Sequence, residues 1–280
     1  YSNSAIIDFS SSLDKPAGKH GKIKVGRNGT LQFEDGTRIT FWGVNLVNGN
    51  IFRTHEETDK MVKRLSKLGV NMVRLHHMDA PWAEINIFDK SSNTTRKFSE
   101  ISMDRLDYLI YKLKNAGIYI FLDLLVHRKL KSGDGFYNFE DIPNGFKEVI
   151  FIDEKLKKLT KEYIRNLLEH KNKYTGIKYK DEPAIVFMEI INESSLFYWD
   201  RNKDIPERYT KKLNKLFNVF LKKKYKTMKN LKENWDRYGD NNLKENEDFN
   251  KGTVKREKFK INWDNLKEFA VANCTGRAYD

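Results

Sequence analysis

The chain has 280 residues, 39% apolar, 13% aromatic and 32% charged, which is enough apolar side chain for a large core and excludes a disordered segment. No apolar run approaches the ~18–20 uncharged residues that a membrane-spanning helix needs, and one Cys excludes an intramolecular disulfide. The formal charge of +13 is uneven: residues 201–260 hold 19 Lys and Arg against 9 Asp and Glu, leaving only +3 for the rest. These lysines sit on a helix whose other face is apolar, without aromatic residues interleaved as base-stacking platforms. The region therefore reads as a solvated basic surface, and no nucleic-acid partner is expected.

In chain order, residues 20–47 carry β patterning. Ile23 and Val25 alternate with polar residues, Asn28-Gly29 is a hairpin signal, and Leu31 and Phe33 resume the alternation. This hairpin reads as a lid or decoration. A more continuously apolar strand follows over Phe41–Val47. The period then changes from two to 3.6. Thr54-His55-Glu56-Glu57 fits a capping box, Met61, Leu65 and Leu68 stripe a helix, and Gly69 ends it. Val70–Leu75 follows as a strand. The unit recurs with Leu106, Leu109, Ile110 and Leu113 on a helix, Gly117 as stop, and Ile118–Leu122 as strand. A looser third copy has Asp153 capping a helix with Leu156, Leu159, Tyr163 and Leu167, then the apolar run Ala184–Ile191.

Near-continuous apolar strands alternating with amphipathic helices predict a parallel sheet in an α/β fold. Four strands are expected near 41–47, 70–75, 118–124 and 184–191, adjacent in that order. After residue 200 the pattern yields no fifth strand. Pro206 opens a helix striped by Tyr209, Leu213, Leu216, Phe217 and Phe220, and a further helix is expected around Leu266–Val271.

Ligands of parallel α/β folds bind at the carboxyl ends of the strands. Polar residues expected there are Asn45 and Asn48 from the end of the first strand, and Arg74, His76, His77 and Asp79 from the second. The third strand supplies Asp123 and His127, and the fourth Asn192 and Glu193. Arg74 interrupts an apolar strand, so it needs a carboxylate or equivalent acceptors. Glu193 ends an eight-residue apolar run, where partial burial favours a general acid. Glu189 lies deeper on the same strand and is the weaker candidate acid. Trp82 after the second strand, and Phe197, Tyr198 and Trp199 after Glu193, offer flat rings suited either to the C–H faces of sugars or to minor cores.

Trp42-Gly43-Val44-Asn45-Leu46, Arg74 within Val70–Leu75, the joint at Gly117 and the pair Asn192-Glu193 together resemble the (β/α)8 glycoside hydrolases of the cellulase-like clan, nearest to family five. The resemblance covers roughly residues 15–200 and implies a TIM-type barrel. Residues 1–36 would form an N-terminal extension with a β-hairpin, and 37–280 the barrel, of which the first four strands are identified. By the same resemblance Glu193 is the general acid/base of a retaining two-carboxylate mechanism on an oligo- or polysaccharide. Arg74 would help hold the nucleophile and Asn192 would contact the sugar hydroxyl beside the scissile bond. His76, His77, His127, Trp82 and Trp199 are expected to line the substrate site. No cofactor or metal is implied. The clan's nucleophile ends the seventh strand, and no late Glu here closes a buried strand. Four units also consume about 200 residues, so the chain is expected to be truncated, with its nucleophile beyond residue 280 and its activity dependent on the missing half. Tyr1 in place of Met is consistent with a removed leader, and an exported location is expected by analogy. Two other readings stand beside this one: a metal-dependent barrel hydrolase using His76, His77, Asp79 and His127, and a non-catalytic carbohydrate-binding barrel. For the metal reading, adjacent strand residues are expected to point to opposite faces, which argues against His76 and His77 sharing one ion.

Overall fold

A computed structural model describes residues 8–147, 149–194, 205–235 and 243–255. These fall into two compact units. The first comprises the described residues up to 140 with 144–146 and 157–193; the second comprises 141–143, 147–156 and those from 194 onward.

The first unit holds a parallel sheet of four strands, β3 (Gly43–Val47), β4 (Met72–His76), β5 (Tyr119–Leu125) and β6 (Ile185–Ile191), adjacent in chain order. They are preceded by an antiparallel hairpin of β1 (Ile23–Val25) and β2 (Leu31–Phe33). Helices α1 (His55–Lys67) and α2 (Glu100–Asn115) connect β3 to β4 and β4 to β5. Helix α3 (Glu154–Glu169) precedes β6, and its residues from 157 onward belong to this unit.

Local chemistry sets these boundaries. Thr54 Oγ1 accepts from the Glu57 amide at 3.3 Å while Glu57 Oε2 accepts from the Thr54 amide at 3.0 Å, so the predicted capping box forms. Helices α1 and α2 end in the same way. Gly69 and Gly117 adopt φ of +71° and +80°, and the amides of Val70 and Ile118 reach back to the carbonyls of Leu65 and Leu113 at 3.1 and 2.9 Å. This double closure satisfies orphan carbonyls and turns the chain directly into the next strand. Asp153 Oδ1 accepts from the amides of Lys155 and Leu156 at the start of α3.

Alternation then sorts the strand side chains. Val73, Leu75, Ile120, Leu122 and Leu124 are buried under the helices with Leu106, Leu109, Ile110, Leu113, Tyr163 and Leu167. The opposite face of the sheet carries Arg74, Phe121, Asp123 and Glu189, with the registers Arg74↔Phe121 and Asp123↔Glu189. A barrel-type sheet therefore keeps an aliphatic outer layer and concentrates its polar groups inside.

The hairpin is not a lid on the carboxyl rim. Phe33 on β2 packs with Ala17, Tyr119 and Ala184, its ring 5.2 Å from that of Tyr119. Tyr119 begins β5 and Ala184 immediately precedes β6, so the hairpin covers the amino ends of the strands. The reason is its apolar face, which needs the ring of Tyr119 as a partner.

In the second unit, α4 (Glu207–Tyr225) starts after Pro206. Tyr209, Leu213 and Phe217 are buried, whereas Leu216 and Phe220 of the same predicted stripe are exposed. Helix α5 (Met228–Trp235) was not evident from its polar composition. It is held by two fully buried side chains, Leu231 and Trp235, which pack with Phe217, Leu221, Phe249 and Val254. Among the described residues no helix is long and apolar enough to cross a membrane, and no strand follows β6. The helix expected around Leu266–Val271 lies outside them.

Candidate active site

Arg74 is the hub of the inner face. Its Nε donates to Asp123 Oδ1 at 3.1 Å, and its Nη2 donates to Glu189 Oε2 at 2.5 Å and to Asn192 Oδ1 at 2.9 Å. The guanidinium also lies 5.2 Å from the centre of the Phe121 ring. Three strands thus converge on one cation. The planar guanidinium meets these three acceptors with a rigid fork of five donors, whereas an ammonium is a single point on a flexible stem.

Asp123 is fully buried and binds both Arg74 and Nδ1 of His76. Burial pushes its carboxyl up from the ordinary value, and Arg74 opposes that shift by favouring the charged form. Asn192 is 3% exposed, and its amide donates to the Leu125 carbonyl at 3.0 Å. That bond extends the β5–β6 pairing by one residue and holds the Asn192 side chain over Arg74.

Glu193 stands differently from the expectation for it. Strand β6 ends at Ile191, and Glu193 has φ of +47° and is exposed rather than partly buried. Strand alternation does not extend to it, because the left-handed residue turns the chain out of the sheet. It remains next to Asn192, and therefore at the carboxyl rim.

His77 also departs from simple alternation. Its φ is +64°, and its ring lies 3.8 Å from that of His76. Strand β4 ends at His76, so the two rings are not on opposite faces and that argument against a shared ion fails. His77 continues into an aromatic wall, 5.6 Å from Trp82 and 5.1 Å from His127, with Trp82 and His127 4.7 Å apart. Trp82 is 55% exposed, leaving most of its ring open. Among the described residues no group of three His, Cys, Asp or Glu side chains is placed to hold a metal ion. Trp199 lies outside the described residues.

Two residues do more than the sequence revealed. Glu189, the weaker candidate acid, is an anchor of Arg74, and the register that sets it opposite Asp123 on β5 is what brings it there. Asp79 is fully buried and accepts from the amides of Val126, His127 and Arg128 at 2.8, 2.9 and 3.0 Å. It fixes the loop that carries His127 against the loop that carries Trp82. Non-glycine residues with positive φ follow three of the four strands, at Asn48, His77 and Glu193. Such strained positions persist where surrounding structure over-determines them, and they gather at functional rims.

The arrangement has clear relatives. Residues 34–223 match the model of the cellulase family, glycosyl hydrolase family 5. The chain is 28% identical over 182 residues to mannan endo-1,4-beta-mannosidase 2 of Arabidopsis thaliana, covering 60% of this chain and 40% of that protein. It is 23% identical over 186 residues to mannan endo-1,4-beta-mannosidase 1 of the same plant, covering 60% and 41%. The chain thus spans about 40% of the length of these curated relatives. In fold it is similar to the endo-1,4-beta-mannanase of Rhizomucor miehei, with a TM-score of 0.51 and 20% identity, covering 72% of this chain and 58% of that one. The four parallel strands are accordingly part of a (β/α)8 barrel, and the chain belongs to glycosyl hydrolase family 5.

Proposed function

We propose that this chain carries the acid/base side of a retaining glycoside hydrolase site acting on β-1,4-linked mannan or its oligosaccharides. The observation that supports this best is the Arg74 array, which joins Asp123, Glu189 and Asn192 beside Glu193. The substrate class comes from the likeness to mannan-degrading relatives.

In this reading Glu193 protonates the departing glycosidic oxygen and then deprotonates the attacking water. Asn192, held by Arg74, donates its amide to a sugar hydroxyl next to the scissile bond. Trp82, with His77 and His127 behind it, offers an apolar face to a pyranose ring. Asp79, Asp123 and Glu189 are already engaged in holding the frame. The nucleophile that a retaining mechanism needs about 5–5.5 Å from the acid is therefore assigned to none of these three.

The test separates binding from turnover. The 280-residue chain should bind manno-oligosaccharide by calorimetry without hydrolysing it, and robust hydrolysis would overturn the assignment of the nucleophile elsewhere. In a form of the protein that carries the second carboxylate, Glu193→Gln should lower turnover of an unactivated oligosaccharide by about 10²–10⁴-fold. An activated aryl glycoside should lose much less in the glycosylation step, since its leaving group needs no proton. Equal losses on both in that step would remove Glu193 from the acid role.

A further inference from the structure

Beside the aromatic wall is an open cavity of about 550 Å³, lined by the loops that follow β4 and β5. Its volume falls within the range of small-molecule sites. Phe88, Leu130 and Phe139 supply apolar lining, and Pro81 and Asp79 form the side toward Trp82. Lys90, Lys129 and Lys131 complete it.

The charge of this lining is one-sided. Among the described residues none of the three ammonium groups pairs with a carboxylate, whereas Lys97, Lys112 and Lys114 elsewhere in the same unit each have one. The single carboxylate in the lining, Asp79, is consumed by three backbone amides. Lys131 is spent on structure: its Nζ donates to the carbonyls of Asp89, Lys90 and Ser92. Lys90 gives one bond, to the Ala83 carbonyl at 2.6 Å, which leaves two of its N–H groups. Lys129 is exposed and keeps all three. The cavity therefore combines spare donors and positive charge with apolar lining.

Its walls are rigid before any ligand arrives. Asp134 accepts from Thr94 Oγ1, the Thr95 amide and hydroxyl, and the Lys131 amide, at 2.6 to 2.9 Å, tying the two loops together. Gly133 donates to the Asn93 carbonyl at 2.8 Å, and a Cβ there would fall 2.6 Å from Asn93 Oδ1. Arg128, fully buried, adds bonds to Thr95 Oγ1 and to the carbonyls of Thr95 and Leu159. Such preorganisation lowers the ordering cost of binding.

We infer that this cavity is a subsite for an acidic sugar unit of the glycan, a hexose bearing a carboxylate or sulfate, with its C–H groups against the apolar lining and its anion on Lys129 and Lys90. This inference rests on the carbohydrate-directed reading above and extends it from neutral mannan to glycans with charged side groups.

Calorimetric titration of the 280-residue chain tests it with four probes: a neutral manno-oligosaccharide, the same oligosaccharide carrying a glucuronic acid branch, its sulfated counterpart, and inorganic sulfate. At low salt an acidic oligosaccharide should bind at least about tenfold more tightly than the neutral one, and the advantage should shrink as salt screens the lysines. Lys129→Glu should abolish that advantage and leave neutral binding unchanged, with Lys90→Met as a second variant and a thermal melt to verify folding. Which acidic probe responds identifies the anion. Equal binding of neutral and acidic probes, an advantage that survives Lys129→Glu, or a response to inorganic sulfate equal to that of the sugars would overturn the subsite. Acidic binding without neutral binding would keep the subsite and overturn the mannan reading, and no binding of any sugar would overturn both.

Discussion

Arg74 illustrates how one side chain can decide both stability and site geometry. Removing it leaves the buried Asp123 carboxylate with His76 and Glu189 beside it but without its permanent cation, and strands Glu189 and Asn192 without their shared donor. Arg74→Ala should destabilise the first unit by about 3 kcal/mol in urea unfolding, the cost of an uncompensated buried charge. Arg74→Lys should recover only part of this, because a compact ammonium lacks the planar fork of donors that reaches Asp123, Glu189 and Asn192 together. His20 supplies a pH-dependent counterpart at the other end of the sheet. Its two ring nitrogens meet Asp35 and Asp14, and those hydrogen bonds raise its pKa above the ordinary 6.5. A raised histidine pKa means that the contribution is fully present below the unfolded value and is lost as pH rises through the folded one. Asp35, held down to about 2 chiefly by the Thr37 amide and then by His20, adds stability that is lost only as pH falls toward that value. The melting temperature of the 280-residue chain should therefore decline as pH rises above about 6.5, and His20→Gln should flatten that limb. An unchanged slope in the variant would remove His20 as its source.

At the level of elements, the two glycine joints differ in what surrounds them. Both need a left-handed residue to leave a helix and enter a strand. A Cβ at Gly117 would fall 2.8 Å from the Asp14 carbonyl oxygen, whereas at Gly69 it would meet the Phe9 side chain at 3.2 Å. Backbone cannot yield as a side chain can. Gly117→Ala should thus cost more than Gly69→Ala, with both exceeding about 1 kcal/mol because φ is positive. Chemical denaturation of the two variants checks the order. The element that escaped detection, α5, failed for a related reason: eight residues with two buried side chains give too few periods to stand above a polar background.

For the molecule as a whole, the parallel sheet is where aggregation risk lies. Among the described residues β3 and β6 each pair on one side only, and on β6 Met188 and Ile190 are 37% and 64% exposed. Unpaired strand edges next to apolar surface template association. The 280-residue chain should self-associate in sedimentation experiments at rising concentration. Ile190→Lys should reduce this while changing stability by no more than about 0.5 kcal/mol, since the side chain is already largely exposed. Unaltered association in the variant would place the contact elsewhere.

The sequence by itself determined the order and direction of the sheet. Two Leu-x-x-x-Gly joints, a capping box and three apolar runs are local signals, and each is read within a dozen residues. It also located Arg74, His76, Asn192 and Glu193 near strand ends, because a parallel sheet sends every such end to one rim. Only the tertiary structure decided what these residues do to one another. That Glu189 serves Arg74, that Asp79 ties the His127 loop to the Trp82 loop, and that His77 lies on His76 all depend on register between strands, or on single left-handed residues. Neither leaves a periodic trace. The exposure of Glu193 is of the same kind: an apolar run can predict a buried strand, but not the one dihedral angle beyond its last hydrogen bond that turns the next carboxylate out of the sheet.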